Sequence, residues 1–311
     1  MIKENIIIGE GTRYPMKGMI TLPADATGPV PAVVLVHGSG SSNMDEKVGK
    51  LTPFKDIAEG LAHHGIASIR YDKRSYAHPL RMLTDKKHPV TAKIETIDDA
   101  ILAAEMLKND PRIDSEAVFI IGHSMGGILA PRIDLEGGDF RGIIIMAGTP
   151  RRLEDIMADQ LDEVFSQLSP LMRKLSEKKV KKILDKFQGM YELSDEEAKK
   201  IKIGNGTTLY YFKEMGQPPV SYYLEKTDKP MLIMQGEKDF QAKADKDFAI
   251  YKELLAGRNN VTFRLYENLN HAFVDSVYGL ISKAKQEYNV EQHIGENVIA
   301  DIANWIKTVI E

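Results

Sequence analysis

The chain contains no cysteine. Disulfides, a thiolate nucleophile and a cysteine-ligated metal are therefore all excluded. It also lacks a charge excess. Lys and Arg number 41 against 45 Asp and Glu, a formal net charge of −4, so the basic footprint of a nucleic-acid binder is missing. No apolar run approaches the roughly 18 residues of a membrane-spanning helix. The first ten residues hold only Ile6-Ile7-Ile8 as a consecutive apolar stretch, which is no signal-peptide core. The expectation is a soluble, cytoplasmic protein without a membrane span. What is present is 311 residues, 43% of them hydrophobic, ample for a buried core.

The most informative stretch is Gly122-His123-Ser124-Met125-Gly126-Gly127. It fits G-x-S-x-G. The β-branched run Ala117–Ile121 precedes it, and Ile128-Leu129-Ala130-Pro131 opens a helix after it. Strand, sharp turn and helix are the setting in which this serine is lifted out as a nucleophile. The flanking glycines allow close backbone approach in a strained turn.

A serine needs a base, and the base needs an orienting group. On this kind of turn the acid follows a late strand and the histidine comes last in the chain. Lys229–Gln235 reads as that strand, and Gly236-Glu237-Lys238-Asp239 follows it. Asp239 is the choice of acid, with Glu237 as competitor. Val261–Tyr266 alternates as the next strand, and the loop after it carries His271. Of the other seven histidines, His293 is the nearest rival. A developing oxyanion needs backbone donors. Met125 N–H supplies one. The loop His37-Gly38-Ser39-Gly40-Ser41-Ser42, after the strand Pro31–Val36, supplies the other. Ser39 N–H is that donor, with Gly40 as the alternative. No Gly-Lys-Ser/Thr follows and no G-x-G-x-x-G opens a helix here, which makes a flexible Gly/Ser turn or a phosphate cradle the weaker reading of the loop.

Strands alternate with helices along the chain, which implies a mostly parallel sheet covered on both faces. An N-terminal hairpin is expected at about residues 3–9 and 15–22. Thr52 reads as the cap of a helix with Pro53 at its first position. Ile94, Ile97, Ile101 and Ala104 mark one helix face, and Ile294, Val298, Ile302, Trp305 and Val309 mark another. Asp72 and Arg74 are candidates to pair across the turn after the strand Ile66–Tyr71. Residues 150–226 break the rhythm. They are too long for a loop, and Leu161, Phe165 and Leu168 keep helical spacing. Ser194 to Glu197 spells a capping box. Lys178, Lys179, Lys181, Lys182 and Lys186 form a basic run that reads as a solvated face. Tyr210, Tyr211, Phe212, Tyr222 and Tyr223 either line a pocket or pack the insertion onto the core.

The chain resembles the α/β-hydrolase superfamily. Within it, the chain is similar to single-domain bacterial esterases with a helical insert, the group that includes feruloyl (cinnamoyl) esterases. The resemblance rests on His37-Gly38-Ser39-Gly40, Tyr71-Asp72-Lys73-Arg74, the Ser124 turn, Gly236-Glu237-Lys238-Asp239 and Asn270-His271-Ala272-Phe273, and runs from about residue 30 to the C-terminus. Ser75 stands where many relatives carry glycine, which implies a differently shaped loop. The resemblance implies an α/β-hydrolase core at 1–149 and 227–311 and a helical cap at 150–226. It also implies a serine esterase whose catalytic residues are Ser124, Asp239 and His271, with Ser39 and Met125 at the oxyanion. No metal or organic cofactor is expected. The expected partner is a small-molecule ester, with a homodimer left open. Aminopeptidase-like, thioesterase or acyltransferase activity on the same triad is the alternative, as is a non-catalytic binding scaffold.

Overall fold

A computed structural model describes residues 1–85, 88–204 and 206–311. The strands are β1 (Ile2–Ile8), β2 (Met16–Leu22), β3 (Val30–Val36), β4 (Ala67–Tyr71), β5 (Ile113–His123), β6 (Ile143–Met146), β7 (Lys202–Gly204), β8 (Thr207–Thr208), β9 (Met231–Gly236) and β10 (Val261–Tyr266). Eight of them form one sheet in the order β1-β2-β4-β3-β5-β6-β9-β10. β1 and β2 make the expected antiparallel hairpin, and β2 runs antiparallel to β4. Every pairing from β4 across to β10 is parallel. β7 and β8 pair separately.

The central strands are apolar throughout because both faces are covered. Residues Ala32 to Val36 of β3 are all buried. Pro31 cannot donate to a ladder, and the register against β5 shifts between Val30 and Ala32. Side chains alternate across the sheet. Val34, Val36 and Ile120 join the helices Asp98–Lys108 and Met125–Ile133 in one core. Val33, Leu35, Phe119 and Ile121 join the helices Pro53–His63 and Glu296–Ile310 in the other.

Two local expectations change. Thr52 makes no side-chain cap. Pro53 has no N–H, and the next amide, Phe54, already donates to the Asp45 carbonyl at 3.2 Å. The expected Ile94–Ala104 face is also rotated. A π-helical turn, Lys93–Ile97, precedes the helix Asp98–Lys108 and adds a residue to the turn. Ile94 and Ile101 are thereby half-buried, while Glu95, Thr96 and Asp99 turn inward.

Between β6 and β9 lie the helices Leu153–Ser166, Pro170–Leu184, Asp195–Lys200, Leu209–Gly216 and Val220–Lys226. The Ser194–Glu197 capping box forms as the sequence predicts. Pro170–Leu184, which carries most of the basic run, has no fully buried residue. Among the described residues no helix is long and apolar enough to cross a membrane.

Candidate active site

Ser124 sits between the end of β5 and the helix Met125–Ile133, with φ 53° and ψ −117°. That region is costly for a residue with a Cβ, by about 1–3 kcal/mol. The neighbouring backbone holds it there. Ser124 N–H donates to the Met146 carbonyl at 2.9 Å. A Cβ on Gly126 would overlap the Val36 carbonyl, and one on Gly122 would overlap the Gly126 carbonyl. Val36 ends a central strand and Gly126 lies in the first turn of the helix packed on it, so neither carbonyl can give way. Gly126→Ala should therefore destabilise the chain by about 3 kcal/mol, at the upper end for overpacking. Urea unfolding would measure it.

Backbone strain gathers around this point. Among the described residues the non-glycine positions with positive φ are Glu46, Ser124, Ala147, Phe273 and Asp139. The first three line one cavity, and Phe273 follows Ala272, which also lines it. The cavity measures about 660 Å³ and receives Ser39, Ser124, Met125 and His271 together.

His271 is brought there by the loop after β10. Asn270 pins that loop: its amide donates to Glu287 at 3.0 Å and its carbonyl oxygen accepts the Ala272 N–H at 2.9 Å. His271 Nδ1–H donates to Asp239 Oδ2 at 2.7 Å, and both groups are buried. Asp239 takes three further donors: Gln235 Nε2–H at 2.7 Å, Gln241 N–H at 2.7 Å and Ala242 N–H at 2.9 Å. The buried carboxylate is thus fully satisfied, and its orientation is fixed. The imidazole is held with Nδ1 as donor, which leaves Nε2 as the acceptor. The competitors lie elsewhere. Glu237 is exposed, and His293 is an exposed side chain paired with Asp56.

Ser39 and Met125 also fall where the sequence places them. Met125 is the first residue of its helix, where an amide has no intrahelical acceptor. Among the described residues neither the Ser39 nor the Met125 N–H has an acceptor in the protein. Nor does any group of three or more His, Asp or Glu side chains there suit a metal ion.

A family model described as serine aminopeptidase, S33, matches residues 27–275. The chain belongs to that family. It is 34% identical over 291 residues to the esterase EstD of Thermotoga maritima. That match covers 94% of this chain and 65% of the relative, so the chain spans just under two thirds of that protein's length. Among solved structures it superposes on Est1E of Butyrivibrio proteoclasticus with a TM-score of 0.58 at 13% identity, over 98% of each chain. An esterase of Pyrococcus furiosus gives 0.58 at 15% identity, over 100% of this chain and 92% of that one. At such identities the likeness is one of fold, and the fold is that of the α/β-hydrolases.

This S33-family chain also builds a buried charge network beneath the cavity. Lys73 Nζ–H donates to the Gly38 carbonyl at 2.9 Å and lies 3.7 Å from Glu95. Glu95 accepts the Tyr211 hydroxyl at 3.0 Å, and that hydroxyl also reaches Met125 Sδ at 3.3 Å. Burial lowers the Lys73 pKa, against the pull of Glu95 and Glu46. Asp72 and Arg74 turn to other partners: Asp72 accepts the Met44 N–H at 2.9 Å, and Arg74 pairs with Asp99. Sequence reasoning missed Glu46 and Glu95 altogether. It quoted Lys73 only inside a motif. The available signal was the acidic pair Asp45-Glu46 just past the Gly/Ser loop. Of the tyrosine cluster, Tyr211 and Phe212 line the cavity, Tyr223 packs under Arg132, and Tyr222 is exposed.

His37 carries a pH consequence. Its Nε2–H donates to the Asn43 carbonyl at 3.0 Å, and its ring packs on Phe54 and Tyr71. Burial lowers its pKa to about 4, with Glu46 opposing. A histidine that stays neutral when folded but takes a proton when unfolded costs stability in acid. Its contribution is intact above the unfolded value near 6.5 and is lost as pH falls towards 4, by up to about 3 kcal/mol. His37→Gln should therefore lose correspondingly less stability than the parent between pH 6.5 and 4. Parallel urea titrations across that window would check this.

Proposed function

We propose that the chain is a serine hydrolase that cleaves carboxylic esters through Ser124, His271 and Asp239. One observation carries the reading: the buried 2.7 Å Asp239–His271 bond opens onto the same cavity as the strained Ser124 turn. Ser124 Oγ attacks the ester carbonyl carbon while its proton passes to His271 Nε2. The Ser39 and Met125 amides stabilise the negative oxygen of the tetrahedral species without reorganisation. The proton then moves to the alkoxide oxygen as its bond to carbon breaks, and the alcohol leaves an acyl-Ser124. Water gives a proton to His271 and attacks that acyl carbon; the bond from carbon to Ser124 Oγ then breaks as His271 returns the proton to Oγ, releasing the acid and restoring the free serine. Asp239 holds the imidazole in the productive tautomer and stabilises the imidazolium.

Residues 150–226 act in this reading as a cap. They bring Leu153, Ile156, Met157, Ile203 and Phe212 to the cavity, which Val90 and Ile128 also line. Such walls suit the acyl chain of a small-molecule ester. The name of the Thermotoga relative agrees with ester hydrolysis. The test is a p-nitrophenyl ester series from acetate to decanoate, run beside methyl ferulate with Ser124→Ala as control. Turnover that depends on Ser124 is expected. Turnover retained by Ser124→Ala would sink the assignment.

A second reading, aminopeptidase-like cleavage, is favoured by the family description and by the Glu95 carboxylate in the cavity wall. A substrate α-ammonium group would share that carboxylate with Lys73 and Tyr211. Aminoacyl p-nitroanilides, run beside the esters, separate the two.

A further inference from the structure

Glu46 is buried, has φ 50°, and lines the cavity without a place in the triad. A buried carboxylate at a strained backbone position carries a double cost, so its contacts must repay both. One oxygen, Oε1, accepts the Gly38 N–H at 2.7 Å. The other, Oε2, lies 2.9 Å from His123 Nδ1, an ion-pair contact whose alignment falls short of a hydrogen bond. His123 in turn donates from Nε2 to the His271 carbonyl at 2.9 Å. The rings of His123 and His271 are 4.9 Å apart.

These contacts join three segments that share no sequence proximity: the Gly38 loop, the Ser124 turn and the His271 loop. Gly38 is the junction. A Cβ there would stand 3.1 Å from Ser124 Cβ, so the loop lies directly against the serine. Its peptide groups are held by opposite charges, the N–H by Glu46 and the carbonyl by Lys73. With Gly38 N–H committed to Glu46, the next amide, Ser39, is left free.

We propose that Glu46 is the positioning residue of the oxyanion loop: through Gly38 and His123 it fixes the Ser39 amide and the His271 loop relative to Ser124. The inference rests on the ester-hydrolase reading of Ser124, His271 and Asp239. Glu46 touches no reacting atom. It acts by holding donors in place before charge develops, and such donors lower the barrier rather than tighten substrate binding. Electrostatics agrees. Burial alone raises the Glu46 carboxyl, but His123, with the Gly38 N–H, brings it below the usual carboxylate range. Burial alone lowers His123, and Glu46 lifts it above the usual imidazole value.

The test compares Glu46→Ala and Glu46→Gln with the parent protein. Three quantities are read: kcat and KM on the best p-nitrophenyl ester, the rate of Ser124 labelling by a fluorophosphonate, and the thermal midpoint. Glu46→Ala should lose about 10²-fold in kcat and a similar factor in labelling rate, the size expected for a displaced oxyanion donor. KM should stay within about threefold. Glu46→Gln keeps an acceptor for Gly38 N–H but loses the charge facing His123, and should fall between the two. Should Glu46→Ala fail to fold, the isosteric Gln variant decides alone. Parental kcat and labelling rate in a folded variant would overturn the proposal. So would losses that follow the thermal midpoint, with Gln as impaired as Ala. Failure of the underlying reading looks different: the parent itself would then neither label nor turn over, or Ser124→Ala would turn over as fast as the parent.

Discussion

Replacing Ser124 by alanine should lower kcat on the preferred ester by roughly 10⁵–10⁶-fold while leaving the unfolding midpoint unchanged or slightly raised. The size follows from covalent catalysis. In the proposed mechanism, loss of Oγ removes the acyl-enzyme and leaves His271 nothing to deprotonate but water. What survives is the small advantage of a bound ester facing the Ser39 and Met125 amides. The fold should not suffer. The turn is held by the Ser124 amide on the Met146 carbonyl and by the fit of Gly126 against Val36, and neither contact uses the hydroxyl. The pair of measurements is a steady-state assay and a urea melt. A fall in both would mark Ser124 as structural and remove the basis for the mechanism.

Asp239→Asn should cost about 10⁴-fold in kcat, with KM little changed, because the substitution inverts one hydrogen bond. Asp239 Oδ1 faces the Gln241 and Ala242 amides, so the new NH2 cannot sit there without meeting two donors. At the Oδ2 position it also meets two donors, His271 Nδ1 and Gln235 Nε2, but the imidazole can change tautomer and the Gln235 side chain can turn, whereas the two backbone amides cannot give way. His271 would then shed its Nδ1 proton and carry it on Nε2, the atom that must accept from Ser124. The imidazole stays in place but in the wrong tautomer. Asp239→Ala removes the orienting group altogether and should be no better. A kcat within tenfold of the parent in Asp239→Asn would show that some other group orients His271.

The elements that set the sheet and the candidate triad were legible for a common reason. Each is local. A β-branched run such as Ile143–Met146 reads as a buried strand from its own residues, and a strained serine turn needs small neighbours within a few positions. The order of acid and histidine then needs only chain sequence. What escaped was everything that depends on which segments meet. Glu46 looks like a solvated loop residue until folding sets it against Gly38 and His123. Thr52 has the residue type of a cap, but Asp45 from a separate stretch reaches the Phe54 amide first. The turn at Lys93–Ile97 defeats a face drawn at regular spacing, since one extra residue rotates everything before it. Asp72 and Arg74 sit close in sequence, yet each finds a partner more than twenty positions away.

The walls of the cavity have two separate origins. Ser124, His271 and the Gly38 loop stand at strand ends of the sheet, whereas Leu153, Gln160, Ile203 and Phe212 arrive on a stretch inserted between β6 and β9. Deletions, length changes or exchanges within that stretch should alter which molecules fit without disturbing the register of the eight-stranded sheet, since only the separate pair β7 and β8 lies inside it. Its least constrained piece is Pro170–Leu184, which buries no residue fully. A library of chimaeras exchanged at residues 150 and 226 would inherit reactivity from one parent and selectivity from the other.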